Sequence, residues 1–359
     1  MAEPTTDNQA TSSGTETDGH NSRQAQLTTE NLNALEANRQ GIEADSANGD
    51  SAYGESTTSS FLTSIASEVT KGLYENGRRY HSFGTAEYGF PNDEPETDRL
   101  DMQHAMMTSL MSNRLFWAPI NPNPLRVLDL GTGTGIWAID FAEIFESAEV
   151  IGTDLSPIQP SWVPPNCRFE IDDVERDWTY ATDSFDFIHA RNLICSVRDW
   201  PKLIAQTYEH VKPGGYVEWQ MKHPFIVSDD GTLPENSALQ QWSASFGEAA
   251  DAFGTSLSTT PRLKEMMLQA GFVDVEEYVV KLPIGPWPKN KQLKRVGAFE
   301  LVNMVDGVEG LTMRLFSKAL GMPVEEIQVL LMNVRKEAKN SRIHSYYPFY
   351  IVFGRKPER

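Results

Sequence analysis

Across 359 residues the chain carries 50 acidic against 31 basic side chains, and the resulting net charge of −19 argues against a general nucleic-acid binder, which needs a basic footprint. An apolar share of 40% and an aromatic share of 10% are globular values, enough for one large core or two modest ones. The two cysteines, Cys167 and Cys195, lack metal-ligand spacing and exclude a disulfide framework or a zinc site.

No run approaches the roughly 18 apolar residues of a membrane span, and the N-terminus has neither a basic start nor an apolar signal core. The expectation is an intracellular protein of cytoplasm or nucleus, with no membrane partner, no direct nucleic-acid partner and no metal. Residues 1–60 hold ten acidic side chains and only Arg23 and Arg39 as bases. Such a segment cannot bury enough apolar surface to offset its ordering entropy, so it reads as a disordered acidic tail, with Leu27, Leu32 and Leu35 spaced for a transient helix. From 61 to 124 the composition predicts a helical N-terminal extension. Phe61, Leu62, Ile65, Val69 and Leu73 recur at helical spacing, Tyr74–His81 follows, and Asp98–Phe116 carries Met102, Met106 and Leu110 along one face with Met107 and Met111 beside them. That methionine stripe reads as core. Asn121-Pro122-Asn123-Pro124 then breaks the chain.

From 125 to 359 strands and helices alternate, the pattern of a doubly wound, mostly parallel α/β sheet. Strands are predicted at Arg126–Leu130, Glu149–Thr153, Arg168–Ile171, Phe185–Ala190, Tyr216–Met221, Val273–Lys281 and Tyr347–Gly354. Helices are predicted at Ile136–Phe145, Trp200–Val211 and Pro261–Ala270, the last stopped by Gly271. Two long insertions, roughly 222–260 and 282–346, lie near the ligand side and read as caps that shape a substrate pocket.

The first core strand runs straight into Asp129-Leu130-Gly131-Thr132-Gly133-Thr134-Gly135 and then a helix. Glycines permit the sharp reversal and let the backbone approach a ligand, and the helix start presents unpaired N–H groups to it. The dinucleotide fingerprint G-x-G-x-x-G would need a third glycine where Ile136 stands. The spacing D-x-G-x-G-x-G instead resembles the Rossmann-like methyltransferases that use S-adenosylmethionine (SAM). In such a sheet the ligand lies across the carboxyl ends of the strands where strand order reverses. Asp129, Gly131, Thr132, Gly133 and Gly135 then frame the amino-acid end of the donor. Asp154, ending the second strand, suits the two ribose hydroxyls; the alternative is a turn residue before Leu155-Ser156-Pro157. Asp172-Asp173-Val174, after the third strand, suits the adenine. Adjacent carboxylates point opposite ways on an extended chain, so one of the pair is expected to face the base, Asp173 with the Val174 amide ahead of Asp172; the alternative is a solvated acidic turn running through Glu175 and Asp177. Arg191, delivered by the fourth strand, suits the donor carboxylate or an acidic substrate. His189 reads as a satisfied core histidine ahead of a pocket group, and Cys195 as packing rather than a nucleophile.

More narrowly, an ordered series resembles the fungal LaeA-like methyltransferases. It comprises Glu75-Asn76-Gly77-Arg78-Arg79-Tyr80-His81, Pro91-Asn92-Asp93-Glu94, Asp98-Arg99-Leu100-Asp101, Leu128 to Ile139, Gly152-Thr153-Asp154-Leu155-Ser156-Pro157-Ile158-Gln159-Pro160 and Lys212-Pro213-Gly214-Gly215-Tyr216-Val217-Glu218. The resemblance runs from about residue 70 to the end. It departs from the pattern at Thr132, where relatives often carry cysteine. It implies a seven-stranded SAM-binding sheet with an antiparallel last strand. It also implies either a methyltransferase for a small-molecule acceptor in secondary metabolism or a regulator working through velvet-type protein partners. A general base is needed only if the acceptor binds protonated, so no catalytic residue is assigned; the strand-end candidates are His189, Arg191, Glu218, Trp219 and His223. Trp242, Phe246, Trp287 and Phe299 suit a lid over an aromatic acceptor or the packing of a cap. Tyr80, or Arg78 or Arg79, is expected to touch the donor carboxylate, with a solvated basic turn as the alternative.

Overall fold

The computed structural model describes residues 73–81, 88–124 and 126–358. The acidic tail and the helix expected from Phe61 up to residue 72 lie outside the described residues. In chain order the elements are β1 (Leu73–Glu75), β2 (Arg78–Tyr80), α1 (Glu94–Leu110), β3 (Arg126–Leu130), α2 (Ile136–Ile144), β4 (Glu149–Asp154), β5 (Cys167–Ile171), β6 (Phe185–Arg191) and α3 (Trp200–His210). They continue with β7 (Val211–Lys222), α4 (Ala238–Ala252), a short 3-10 helix (Leu257–Arg262), α5 (Leu263–Ala270), β8 (Val273–Pro283), α6 (Lys291–Ala319), α7 (Val324–Ala338) and β9 (Tyr346–Arg355).

The main sheet has seven strands in the order β5-β4-β3-β6-β7-β9-β8. Pairs among β5, β4, β3, β6 and β7 are parallel, and β9 runs antiparallel between β7 and β8. Both faces of this sheet are covered, which is why its central strands read as unbroken apolar runs. Along β3, Val127 joins one core with Phe116, Trp137 and Phe187, while Leu128 and Leu130 join the opposite core with Ile188, Val217 and Trp219. Strand order reverses on either side of β3, which leads outward to β4 on one hand and to β6 on the other. The carboxyl ends of β3 and β6 therefore flank the crevice where this architecture takes its ligand.

Three departures from the sequence expectation have local causes. Residues Leu73 to Tyr80 form an antiparallel hairpin rather than helix, because Asn76 and Gly77 both adopt positive φ (50° and 78°), the requirement of a tight hairpin turn. Helix α1 starts at Glu94, capped by the Asp93 side chain, and stops before Ser112 and Asn113, each at φ 60°. Strand β7 begins at Val211, and Lys212-Pro213-Gly214-Gly215 bulges out of it, since Phe185 pairs with Val211 and Phe187 with Tyr216. Of the methionines expected in the core, Met106 and Met107 of α1 and Met111 just beyond it are fully buried, and Met102 is half-buried.

The two insertions supply α4, α6 and α7, which pack on one another, and α6 lies along α1. Gly307 sets that approach: a Cβ there would sit 2.4 Å from Cδ of Arg99. The cap thus rests on the N-terminal segment and roofs the carboxyl ends of the strands.

Candidate active site

The glycine loop is held in place before any ligand arrives. Asp129, buried at the end of β3, accepts the His189 Nδ1–H at 2.7 Å and the Thr132 hydroxyl at 2.6 Å. The Thr132 amide donates to the Thr153 carbonyl at 2.9 Å, and the Gly133 amide donates to Asp154 Oδ2 at 2.8 Å. Gly131, Gly133 and Gly135 have φ of 63°, 59° and 82°. A Cβ on Gly131 would fall 2.3 Å from Leu193 and one on Gly135 2.2 Å from Phe169, whereas at Gly133 nothing stands closer than Leu100 at 3.5 Å. The outer glycines are thus demanded by packing as well as by φ, and the middle one lies open along the cleft. Gly135 caps α2 without a side chain, so the first turn of that helix keeps amide donors for a ligand.

Asp154 is at once a turn residue and a residue of the cleft wall. Its Oδ1 accepts the Ser156 amide at 2.9 Å, anchoring the turn, yet it lines the cleft. Each oxygen keeps a lone pair for a hydroxyl, and burial lifts its pKa to about 6. Asp172, Asp173 and Val174 line the same wall. Asp172 accepts the Asp173 amide at 2.8 Å, and Asp173 accepts the Glu175 amide at 3.0 Å. The rest of that acidic run is structural: Glu175 takes the amides of Arg198 and Asp199 at the start of α3, and Asp177 pairs with Lys202.

Arg191 ends β6 with its guanidinium in the cleft, held by Gln220 (2.7 Å), His104 Nδ1 (3.1 Å) and the Leu115 carbonyl (3.4 Å). Burial draws its pKa down to about 10. His104 donates its other ring N–H to Asp140 at 2.9 Å. His189 is fully buried, stacks face-on against Trp137 at 3.7 Å, and burial lowers its pKa. It fixes Asp129 from a fully buried position and also lines the cleft.

Tyr80, expected to touch the donor carboxylate, lies outside the residues that line the cleft. It is fully buried under the Arg314 guanidinium of α6, 4.5 Å from the ring centroid. Arg78 forks onto Asp93 at 2.6 and 2.7 Å, and Arg79 binds the side chain and carbonyl of Asn92. These groups found partners within the fold and act one step removed, since Asn92 donates to the Ser156 hydroxyl beside the Asp154 turn.

Of the strand-end candidates, Glu218 is a buried staple: it accepts the Trp117 and Ala118 amides at 2.8 and 2.6 Å, and burial raises its pKa to about 7. Trp219 belongs to the core on the far face. His223 packs between Phe225 and Tyr350, its pKa lowered to about 4 by burial. Cys195 is buried with its thiol pushed up to about 12, the mark of packing. Trp242 and Phe246 line the cleft, whereas Trp287 donates to the Ser345 carbonyl and Phe299 packs under Arg295.

Sequence reading named Trp242 and Phe246 for the cap side of the same cleft but missed its charged residues. Lys222, the last residue of β7, lies there with Glu300 and Asn303 of α6 and Arg99 of α1. Lys222 Nζ is 3.3 Å from Glu300 Oε1, Asn303 donates to Glu300 at 2.9 Å, and Arg99 donates to Asn303 at 2.9 Å. The cleft encloses about 1640 Å³ of non-atom space, the open solvent at its mouth included. Among the described residues no cluster of three His, Cys, Asp or Glu side chains suits a metal ion, and no helix is long and apolar enough to cross a membrane.

A family model described as a methyltransferase domain matches residues 102–277. The chain is 42% identical to methyltransferase pytC of Aspergillus terreus over 301 residues, covering 84% of this chain and 93% of that one. It is 36% identical over 291 residues to the secondary metabolism regulator LAE1 of Cochliobolus heterostrophus, covering 79% and 95%. It is also 36% identical over 289 residues to protein-methionine methyltransferase laeA of Emericella nidulans, covering 79% and 76%.

Proposed function

This chain belongs to the LaeA-like family of SAM-dependent methyltransferases, and we propose that it methylates an oxygen or nitrogen of a small molecule in fungal secondary metabolism. Residues 125–359 are the catalytic domain in this reading, with 222–260 and 282–346 as its cap. The single observation that carries it is the Gly133–Asp154 hydrogen bond at the switch point, which sets a glycine backbone free of side-chain bulk and a carboxylate side by side on one cleft wall.

The bound donor supplies a methyl group on a positive sulfonium, already electrophilic. The protein's part is to hold donor and acceptor in line, which converts an encounter into a positioned displacement. The Gly131–Gly135 backbone cradles the amino-acid end, Arg191 meets its carboxylate, Asp154 accepts the ribose hydroxyls, and Asp173 or Asp172 with the Val174 amide reads the adenine. Gly133 leaves the room a Cβ would fill, so the residues present fit a SAM-sized nucleoside. Incubating the chain with methyl-labelled SAM and extracts of a deletion strain tests the reading: a labelled small molecule supports it, and label confined to protein refutes it.

The 36% identity to LAE1 favours a second reading, regulation of secondary metabolism through protein partners such as velvet-type proteins. A regulator changes many metabolites on deletion and co-purifies with partners; a metabolite enzyme changes one compound series.

A further inference from the structure

Four charged side chains from three different elements sit buried on the cap side of the cleft: Glu96 and Arg99 from α1, Lys222 from β7 and Glu300 from α6. Burying such charges is costly, and apolar replacement is often neutral or stabilising, so each pair invites the question of what keeps it. Arg99 and Glu96 explain themselves as a two-point fork at 2.9 and 2.6 Å. Lys222 and Glu300 do not. Lys222 is 7% exposed as a residue, and its ammonium has three donors. Among the described residues it meets one carboxylate oxygen, at 3.3 Å, and the face of Tyr347 at 4.7 Å. A pair built for stability would be shorter and more fully bonded. Both groups line the cleft that holds Gly133 and Asp154, and the walls beside them are Phe90, Trp242, Phe246, Met304 and Tyr347.

We propose that Lys222 and Glu300 bind and ionise the methyl acceptor, and that the acceptor is an acidic hydroxyl, a phenol or enol, on a flat apolar skeleton. This rests on the methyl-transfer reading above. The hydroxyl enters between the two groups. Its proton passes to a Glu300 carboxylate oxygen, and the oxyanion is held by the Lys222 ammonium. The O–CH₃ bond then forms as the C–S bond of the donor breaks, the electron pair of that bond staying on sulfur. Glu300 releases the proton to water as product leaves. A protonated amine would be repelled by Lys222 and is not nucleophilic, whereas a phenolate or enolate is stabilised there. The Tyr347 and Trp242 rings select a planar carbon frame.

The test uses the full chain saturated with S-adenosylhomocysteine and 4-nitrophenol as the probe, whose phenolate absorbs apart from the phenol. Below the probe's solution pKa, wild type should take it up as phenolate. Lys222→Met should weaken phenolate binding about 10- to 100-fold, the scale of a lost hydrogen bond to a charged group, and Lys222→Arg should keep most of it. Glu300→Gln should move the opposite way, tightening phenolate binding by freeing Lys222, while turnover of a phenol acceptor drops at low pH and recovers as pH rises. Uptake of neutral phenol by wild type, or equal phenolate binding in Lys222→Met, overturns the proposal. Should Lys222→Met fail to fold, the ionisation state of the probe bound to wild type decides by itself. Absence of S-adenosylhomocysteine binding in calorimetry would instead strike the methyl-transfer reading.

Discussion

Alanine at Gly135 and at Gly133 separates what the glycine loop does for the fold from what it does for the ligand. At Gly135 two costs add. The residue sits at φ 82°, where a side chain costs roughly 1–2 kcal/mol. Its new Cβ would lie 2.2 Å from Phe169 Cζ, and relieving such overpacking costs about 1–3 kcal/mol. Gly135→Ala should therefore destabilise the protein by on the order of 2–5 kcal/mol, a large part of a typical domain's stability. At Gly133, φ is 59° and the nearest atom is 3.5 Å away, so only the conformational cost of roughly 1–2 kcal/mol applies. Its Cβ instead intrudes on the donor's cradle. Urea unfolding followed by tryptophan fluorescence gives the stabilities, and calorimetry with SAM gives the affinities. The expected pattern is a larger stability loss at 135 and, relative to its small stability loss, a disproportionate affinity loss at 133. Equal stability of Gly135→Ala and wild type, or unchanged SAM affinity in Gly133→Ala, would refute the reasoning.

Asp154→Asn should lower SAM affinity about 10- to 100-fold, the scale of hydrogen bonds to a charged group; full affinity in calorimetry would remove the ribose role. Tyr80→Phe should leave SAM affinity unchanged, because the ring is buried beneath Arg314 away from the cleft; a clear loss would return Tyr80 to the site. Burial raises Glu218 from 4.5 to about 7, so the folded state holds its proton more tightly than the unfolded state. Its contribution is full below about 4.5 and is lost as pH rises through about 7. Compared with Glu218→Gln, wild type should lose on the order of 3 kcal/mol across that window; parallel stability profiles in urea would contradict the burial account.

The strands were legible because β3, β4 and β6 are buried on both faces, and such strands announce themselves as apolar runs regardless of context. That the residues proposed for the donor line one cleft was legible for a related reason: they follow strand ends directly, so position in sequence implies position in space. The hairpin at Leu73–Tyr80 was not. Its strands are short and Leu73 and Tyr74 are exposed, leaving only Asn76-Gly77 as a signal, and that dipeptide lay unused within a charged segment. That Arg314 covers Tyr80 was not legible, because the two lie far apart along the chain. The charged pair on the cap side of the cleft was missed for the same reason, although Trp242 and Phe246 had been named for a lid. Lys222 and Glu300 are 78 residues apart, and nothing local marks a lysine after a strand or a glutamate within an amphipathic helix as partners. Glu218 misled in the other direction: its position at a strand end looked chemical, and its carboxylate turned out to satisfy two backbone amides.

Isothermal titration of the full chain with SAM and, separately, with NAD tests the central claim most directly, since Ile136 stands in place of a third dinucleotide glycine whereas the Asp154 wall would serve either nucleoside. The account predicts one SAM per chain and no heat of binding from NAD. Binding of NAD without SAM would contradict it.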